Sequence, residues 1–228
     1  MRFKGFLLDL DGTLYDYSAA HKAALARSLS VISGRFSIEP GRAEALYLAS
    51  REQVHRRLSG TAASHNRLLY FQLLLESAGI NPLKYSLEIT EEYWHEFLEN
   101  MRLRDGAEEF LDAAGKAGIC LLTDLTADIQ HRKVLKLDLQ DRVGSMVTSE
   151  EAGAEKPAPA IFLAGLEKLG IPAAQACMVG DDWEKDILGA SRQGITSYWL
   201  SAAPRAENGQ NPLIRRFGSF RELTGLLT

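Results

Sequence analysis

The sequence predicts an α/β fold, a doubly wound, Rossmann-like parallel sheet with a small α-helical cap domain inserted after the first strand. Short apolar runs that end in small or acidic residues alternate with helical patterns, which is typical of strands buried on both faces of a parallel sheet. Residues 17 to about 90 break this alternation with four helical segments in a row. We therefore expect a core domain from residues 1–16 and 103–228 and a helical cap domain from residues 17–102.

Five apolar runs are the predicted strands. Each is too short for a helix, is bounded by turn residues and lacks a clean alternation of apolar and polar positions. They are GFLLDL (5–10), GICLLT (118–123), VGSMVTS (143–149), ACMVGD (176–181) and GITSYWL (194–200).

Three helices are predicted between the strands of the core. Each closes at or near a glycine, a residue favoured just past the end of a helix. Their segments are AEEFLDAAGKAG (107–118), PAPAIFLAGLEKLGIP (157–172) and WEKDILGASRQG (183–194). The loop that follows the last strand, residues 201–213, is polar and rich in turn residues, and we expect it to be mobile.

The cap is predicted from helical spacing of its large apolar residues. Leu68, Phe71 and Leu75 fall on one face of a helix over residues 65–79. A second pattern recurs every four residues over 90–101 and includes Tyr93 and Phe97, with Thr90 as the expected N-cap. The same spacing makes Tyr93 and its neighbour Trp94 candidates for the cap core.

The composition is that of a soluble globular protein and excludes several classes of partner. The chain has 228 residues, 46% hydrophobic and 25% charged, with a net charge of −4. A negative net charge gives no overall basic field, which argues against a nucleic acid polymer or an anionic membrane as partner. The two cysteines, Cys120 and Cys177, lie in apolar runs and are typical of small core residues in a reducing compartment. With no signal-peptide pattern and no long apolar segment, the expected location is the cytoplasm.

Polar side chains gather at the predicted ends of the strands. Ligands bind outside the carboxyl ends of the strands in an open parallel sheet, so residues from four loops are expected to meet at one edge. Carboxylates crowded there repel one another, and a hard divalent cation such as Mg²⁺ relieves this repulsion. A lysine can offset the acids and grip a phosphate, and a threonine hydroxyl can donate to an anion. These residues are Asp9, Asp11, Thr123, Lys156, Asp181 and Asp182.

Four motifs resemble those of the haloacid dehalogenase-like hydrolase superfamily in order and spacing. They are DLDGT, LLT, EKPAPAIF and VGDDWEKDI, and the resemblance covers essentially the whole chain. The helical insertion stands where that superfamily has its cap domain. EKPAPAIF followed by CMVGDDWEKDI is most similar to the phosphatase branch that includes N-acylneuraminate 9-phosphatases and related nucleotidases.

The resemblance implies a Mg²⁺-dependent phosphatase that acts on a small phosphorylated metabolite. It makes Asp9 the nucleophile that becomes an aspartyl-phosphate, and it makes Asp11 the group that protonates the leaving alcohol and then activates water. The implied metal ligands are Asp9, the backbone carbonyl of Asp11 and Asp181. The implied supporting residues are Asp182 and Asp186, which hold waters or orient Lys156, and the implied phosphate-binding residues are Thr123 and Lys156, with Gly12 and Thr13 shaping the loop.

One residue departs from the pattern of the family. Many relatives have asparagine after the threonine of the second motif, whereas this chain has Asp124. A carboxylate beside a phosphate site is unhelpful unless it points away or pairs with a cation. Three alternatives stay open: a phosphomutase, a dehalogenase, and a non-catalytic binding or regulatory member of the family, for which Asp124 is the best argument. Asp11 argues against the dehalogenase, because a halide leaving group needs no proton.

The cap contains a local cluster of basic residues in an acidic protein. Its members are His55, Arg56, Arg57, His65 and Arg67. One interpretation is a pocket that recognises an anionic or sugar-like leaving group. The other is a solvated helix face. Two further residues are interpreted as structural: Asp16 as a helix cap or hinge at the start of the cap, and Trp183 as a packing residue.

Overall fold

The computed structural model describes residues 3–202 and 211–227, and the chain divides into two compact units. The first unit comprises Met1–Asp16 and Arg102–Thr228, and the second is Tyr17–Met101. In the first unit, six strands form one sheet in the order β3-β2-β1-β4-β5-β6, and every neighbouring pair is parallel. The second unit is helical. The predicted fold class is thereby confirmed.

Five of the six strands lie within predicted apolar runs. The three central strands are fully buried, as expected for a sheet covered on both faces. The strands are Gly5–Leu8 (β1), Ile119–Thr123 (β2), Ser145–Thr148 (β3), Ala176–Gly180 (β4), Thr196–Leu200 (β5) and Ile214–Phe217 (β6). The sixth, β6, was not predicted. Of the loop predicted to be mobile, residues 203–210 lie outside the described part of the chain.

The helices of both units are numbered in chain order. The helical unit contains Tyr17–Phe36 (α1), Pro40–Arg57 (α2), Arg67–Ser77 (α3) and Ser86–Glu99 (α4). The other unit contains Ala107–Ala114 (α5), Ala127–Lys136 (α6), Ser149–Ala152 (α7), Pro159–Leu169 (α8), Gly189–Arg192 (α9) and Phe220–Leu227 (α10), with a π-helix at Trp183–Leu188. No helix of the described residues is long and apolar enough to cross a membrane.

The predicted helix over 183–194 is divided into two different pieces. Its first part is the π-helix, in which the N–H of Ile187 donates to the carbonyl of Asp182, five residues back, at 3.2 Å. Asp182 also caps the start of this helix, because its Oδ1 accepts from the N–H groups of Glu184 and Lys185 at 2.9 Å each. The wider winding of this helix turns the Asp186 side chain inward, where it is 1% exposed.

Close packing of α8 on the sheet forms the core of the first unit. Phe162 and Leu166 of α8 pack with Leu7, Leu122 and other buried apolar residues of the sheet. The helix approaches so closely because residue 165 is glycine: a Cβ there would come within 2.7 Å of a Leu122 methyl group.

The helical unit has an aromatic core. Tyr93, Trp94 and Phe97 of α4 are at most 3% exposed, as expected from their spacing, and Phe71 of α3 packs against Tyr93 with ring centroids 5.9 Å apart. The prediction for Thr90 was wrong. Helix α4 begins at Ser86, and the Thr90 hydroxyl donates to the carbonyl of Ser86 at 2.6 Å from inside the helix.

The two chain segments that flank the helical unit are joined within the first unit. The N–H of Arg104 donates to the carbonyl of Leu14 at 2.8 Å. Tyr15 and Leu103 form an isolated antiparallel bridge beside this hydrogen bond.

Candidate active site

A buried lysine joins the ends of three neighbouring strands. The Lys156 ammonium donates to Asp9 Oδ1, directly after β1, at 2.6 Å, and to the carbonyl of Leu122 in β2 at 3.0 Å. Its third partner is Asp186 Oδ1 of the π-helix, at 2.7 Å. Lys156 and Asp9 are each 4% exposed. Asp9 and Lys156 of the predicted set are therefore in direct contact, and Asp186 joins them.

Carboxylates outnumber cations at this point. Oxygens of Asp9, Asp181 and Asp186 all lie within 4.8 Å of one another. Asp9 Oδ2 is buried and has no hydrogen-bond partner. In contrast, Asp186 uses both oxygens, since Oδ2 accepts from the N–H of Asp182 at 3.1 Å.

Burial first, and the neighbouring charges second, shift the pKa of each group. Burial raises the pKa of Asp9 to about 7 against the opposing charge of Lys156, and the Asp186 carboxylate adds to the rise. Burial and the Asp9 carboxylate raise the pKa of Asp181 to about 6. Burial also raises the pKa of Asp186 to about 6, although Lys156 opposes it. Burial acts to lower the pKa of Lys156, but Asp186 and Asp9 raise it well above its usual value.

These groups fit a divalent metal cation. One lysine leaves the three carboxylates with excess negative charge, so their ionised forms need a further cation. The unpartnered Oδ2 of Asp9 is an oxygen of the kind that hard cations bind. Asp186 differs from Asp9, because its oxygens are already occupied by Lys156 and a backbone N–H.

The loop after β1 is fixed against Asp181. The Thr13 hydroxyl donates to Asp181 Oδ1 at 3.0 Å. Gly12 has a φ of +95°, and a Cβ there would come within 2.6 Å of Asp181 Oδ2. Arg104, which was not predicted to be a site residue, donates to the carbonyls of Gly12 at 2.8 Å and Thr13 at 3.1 Å. Glycine at position 12 is therefore required by both conformation and space.

Asp11 points to a different set of partners. Its two oxygens accept from the Lys133 ammonium at 2.7 and 2.8 Å, and Oδ2 also accepts from Gln130 at 2.9 Å. The Tyr15 hydroxyl donates to Oδ1. Burial acts to raise the pKa of Asp11, but Lys133 and these hydrogen bonds lower it below its usual value. Lys133, Gln130 and Tyr15 were not selected from the sequence.

The second motif shows how Asp124 is accommodated. Asp124 Oδ2 accepts from the Lys185 ammonium at 2.8 Å, and Oδ1 accepts from the N–H of Lys156 at 3.0 Å. Its charge is therefore paired and engaged in holding the Lys156 loop. The preceding Thr123 is fully buried, and its hydroxyl accepts from Gln130 at 2.6 Å.

Two further residues of the fourth motif have structural contacts. The Asp182 side chain caps the π-helix and contacts no lysine ammonium among the described hydrogen bonds. Trp183 packs on Trp199 with centroids 4.9 Å apart, and the Trp199 indole N–H donates to the carbonyl of Asp181 at 2.9 Å. This packing holds the backbone of Asp181 in place. Asp16 lies directly before α1 and is exposed.

The basic residues of the helical unit do not share one environment. Arg56 and Arg57 are exposed at the end of α2, as a solvated helix face would be. His55 and His65 are half-buried, with ring centroids 5.0 Å apart. Arg67 is 6% exposed and lies among aromatic rings.

Acidic residues thus surround a buried lysine at the carboxyl edge of a parallel sheet, the edge at which such sheets bind their ligands. Residues 3–194 match a protein family described as haloacid dehalogenase-like hydrolase. The chain belongs to this family, and it is a hydrolase.

Individual relatives agree with this assignment. The chain is 39% identical over 193 residues to a ribulose-1,5-bisphosphate 5-phosphatase of Halopiger xanaduensis, covering 83% of this chain and 81% of the relative. It is 24% identical to the mouse N-acylneuraminate-9-phosphatase over 93% of this chain and 88% of that protein. The crystal structure of a HAD phosphatase from Thermococcus onnurineus superposes with a TM-score of 0.75 at 23% identity, covering 98% of this chain and 97% of that one.

Proposed function

We propose that the protein is a Mg²⁺-dependent phosphatase that hydrolyses a small phosphomonoester through an aspartyl-phosphate intermediate. The observation that carries the proposal is the Asp9 carboxylate, which is held through Oδ1 by Lys156 while the buried Oδ2 has no partner. An attacking oxygen needs this combination of fixed orientation and a free lone pair. The relatives that are named as phosphatases support the choice of a phosphoryl substrate.

Asp9, Asp181 and the backbone carbonyl of Asp11 are the proposed Mg²⁺ ligands. Mg²⁺ prefers oxygen ligands and few carboxylates, which matches two aspartates whose neighbours leave oxygens available. When bound, it neutralises the charge of the phosphoryl group and keeps the Asp9 carboxylate ionised. Asp186 and Asp182 are proposed to act through other residues and not as metal ligands. Asp186 orients Lys156, and Asp182 fixes the helix that carries Asp186.

The reaction proceeds in two half-reactions. In the first, an Asp9 oxygen bonds to phosphorus while the bond to the leaving oxygen breaks, and Asp11, which must first bind a proton from solvent against the lowered pKa that Lys133 gives it, delivers that proton to the alcohol. In the second, Asp11 removes a proton from water, whose oxygen attacks phosphorus and releases phosphate from Asp9. Lys133, Gln130 and Tyr15 surround the ionised Asp11 that the second half-reaction requires.

Lys156 and Thr123 are proposed to bind the transferring phosphoryl group, and Gly12 and Thr13 shape the loop around it. Lys156 supplies a positive charge that its neighbours hold in place, and such prearranged charge is the main catalytic device in phosphoryl transfer. Because Asp124 is paired with Lys185, its carboxylate does not oppose an incoming phosphate.

The test is hydrolysis of 4-nitrophenyl phosphate by the purified full chain, with Mg²⁺ and with a chelator. We expect turnover only with Mg²⁺, and we expect Asp9→Asn to abolish it while the circular dichroism spectrum is unchanged. Asp112→Asn is the matched control, since Asp112 is exposed and pairs with Arg142 at the surface. If no metal-dependent hydrolysis occurs with this ester or with a broad panel of phosphomonoesters, the proposal is wrong.

A phosphomutase would retain both aspartates, so the product must be identified. Release of inorganic phosphate in a one-to-one ratio with alcohol supports the phosphatase. Appearance of an isomeric phosphate ester without free phosphate would support the mutase instead.

A further inference from the structure

Lys185 joins two carboxylates that flank the loop of Lys156. Its ammonium donates to Asp124 Oδ2, directly after β2, at 2.8 Å and to Glu155 Oε2 at 3.5 Å. Glu155 is the residue immediately before Lys156 in the chain. The side chains of Asp124 and Glu155 are 13% and 10% exposed, and that of Lys185 is 33% exposed. One lysine is therefore shared by two mostly buried carboxylates.

The π-helix at Trp183–Leu188 acts on both ends of Lys156. Asp186 of this helix accepts from the Lys156 ammonium at 2.7 Å. The preceding residue, Lys185, holds the Asp124 side chain, whose Oδ1 accepts from the backbone N–H of Lys156 at 3.0 Å. Two consecutive residues of one helix thus fix the ammonium and the backbone of the same lysine. Helical segments with this wider winding are frequent at functional sites.

The pairing with Lys185 decides what charge Asp124 presents at the sheet edge. Asp124 directly follows Thr123, and its Oδ1 contacts the backbone of Lys156, so the carboxylate is close to both proposed phosphate-binding residues. An unpaired carboxylate at this position would repel an incoming phosphate. Burial acts to lower the pKa of Lys185, but Asp124 raises it above its usual value, so the lysine is protonated and offsets the negative charge.

We propose that Lys185 is a positioning residue for phosphoryl transfer, which fixes the loop of Lys156 through Asp124 and Glu155 and cancels the charge that Asp124 would otherwise direct at the phosphate. This role rests on the proposed function, because it takes Lys156 as a residue that binds the phosphoryl group. Lys185 acts through its carboxylate partners and does not touch the reacting atoms. It is therefore needed mainly when residue 124 carries a negative charge.

The first test replaces Lys185 by methionine, which removes the charge and retains an unbranched side chain. We expect Lys185→Met to lower kcat/KM for 4-nitrophenyl phosphate in Mg²⁺ by about 10- to 100-fold, because Lys156 loses its fixed position and an unpaired carboxylate faces the phosphate. Lys185→Arg retains the charge and is expected to lose at most about fivefold. Unchanged kcat/KM in Lys185→Met would overturn the proposal.

The second test asks whether Lys185 acts through Asp124. Asparagine at position 124 removes the charge and keeps an oxygen that accepts from the N–H of Lys156. We expect kcat/KM of Asp124→Asn/Lys185→Met to be at least about fivefold higher than that of Lys185→Met, so that the second substitution rescues the first. A residue that only stabilises the fold would not be rescued in this way, and a double variant no more active than Lys185→Met would show that the proposal is wrong.

Urea unfolding establishes that each variant is folded under the conditions of the assay. Where Lys185→Met is not folded, Lys185→Gln takes its place, since it removes the charge but keeps a group that donates hydrogen bonds. The same loss and the same rescue by Asp124→Asn are expected of it, and their absence overturns the proposal equally.

Lys168→Met is the matched control. The Lys168 side chain is 34% exposed, close to the value for Lys185, and it pairs with Glu151 at 2.6 Å. It also donates to the carbonyl of Met146 at 2.6 Å, and neither partner is a proposed site residue. We expect kcat/KM to stay within about twofold of wild type. A loss as large as that of Lys185→Met would show that the effect is not specific to Lys185 and would overturn the proposal.

A binding experiment separates the role of Lys185 from the proposed function. Calorimetry measures the affinity for inorganic phosphate in Mg²⁺ without turnover. We expect Lys185→Met to bind phosphate about tenfold more weakly than wild type, and Asp124→Asn/Lys185→Met to regain most of this affinity.

The outcomes of the binding and activity measurements are distinct. If this binding pattern occurs in a protein that hydrolyses no ester, only the phosphatase is wrong. If esters are hydrolysed and Lys185→Met changes neither phosphate affinity nor kcat/KM, only the role of Lys185 is wrong. If the wild type neither binds phosphate nor hydrolyses an ester, both are wrong.

Discussion

Two buried lysines each pair with a different aspartate of the DLDGT segment. Lys156 contacts Asp9, and Lys133 contacts Asp11. The two aspartates are therefore in different electrostatic environments although they are two residues apart in the chain. In this structure burial raises the pKa of Asp9 and the pairing with Lys133 lowers that of Asp11, the reverse of what the proposed nucleophile and proton donor need, so the proposed roles require both shifts to change when Mg²⁺ and substrate bind.

Replacing Lys133 tests how much its ion pair with Asp11 contributes to the stability of the protein. The Lys133 side chain is 0% exposed and that of Asp11 is 21% exposed, so Lys133→Met leaves a mostly buried carboxylate without its cation. We expect the free energy of unfolding in urea to fall by about 2 kcal/mol, less than for a fully buried pair because water still reaches Asp11. Arg142→Met, which breaks a surface pair with Asp112, is expected to cost at most about 0.5 kcal/mol. Similar losses for both variants would contradict this expectation.

Gly12 combines an unusual backbone conformation with a close contact. Gly12→Ala places a methyl group at a φ of +95° and within 2.6 Å of Asp181 Oδ2. We expect it to destabilise the protein by about 3 kcal/mol and to lower hydrolysis of 4-nitrophenyl phosphate by at least about tenfold, since the loop against Asp181 must shift.

Gly153→Ala is the control for backbone strain alone. Gly153 has a φ of +70°, but nothing lies within 4 Å of a Cβ there. We expect a loss of about 1 kcal/mol in unfolding free energy and unchanged hydrolysis. An equal effect of the two glycine substitutions on activity would show that the contact with Asp181 is unimportant.

At the scale of elements, the sequence predicts the buried strands well and the polar ones poorly. Strands β1 to β5 coincide with apolar runs, because both faces of the sheet are covered. Strand β6 reads IRRF, and its two arginines are exposed, so neither an apolar run nor an alternation marks it.

Helix α6 was not predicted, and with it Gln130 and Lys133 were missed. Its buried residues are Ile129, Gln130 and Lys133, so the inward face is mostly polar and apolar periodicity cannot reveal it. The polar face is buried because it reaches Asp11 and Thr123. One available signal was the spacing itself, since two polar residues three apart share a helix face directly after the second motif.

Two glycines inside helices allow the effect of intrinsic helix preference on stability to be distinguished from the effect of packing. Gly34 lies in α1 with nothing within 4 Å of a Cβ, and Gly34→Ala is expected to stabilise the protein by about 0.5–1 kcal/mol. Gly165 in α8 lies against Leu122 and Leu7, and Gly165→Ala is expected to destabilise it by about 1–3 kcal/mol because the helix must move off the sheet. Thermal unfolding of the two variants measures both signs, and stabilisation by Gly165→Ala would refute the close packing.

At the scale of the molecule, the acidic cluster makes stability depend on pH. The pKa of Asp181 rises from 3.8 to about 6 on folding, so the folded protein binds more protons than the unfolded chain between these values. Proton binding to Asp181 therefore stabilises the folded protein. This stabilisation is fully present below about pH 4 and is lost as the pH rises through about 6.

Asp181→Asn removes this titration and retains an oxygen that accepts from Thr13. In a chelating buffer, the stability of the variant relative to wild type is expected to increase between about pH 4 and pH 7. Urea unfolding at several pH values measures the difference, and Asp112→Asn, at an exposed position, serves as the control. A relative stability that falls or stays level across this range would contradict the assigned shift. Added Mg²⁺ is expected to stabilise the wild type more than the variant.

The hydrogen bond between Arg104 and Leu14, with the bridge between Tyr15 and Leu103, has a consequence for how the chain folds. It fastens two points that are separated in the chain by residues 17–101, and the entropy lost in closing such a loop grows only with the logarithm of its length. If the helices between these two points fold first, they shorten the flexible length of the loop, and the entropy lost when the loop closes is smaller. The same junction makes the insertion exchangeable, because a short turn that joins Tyr15 to Leu103 would preserve the backbone pairing and leave the strand order of the sheet unchanged.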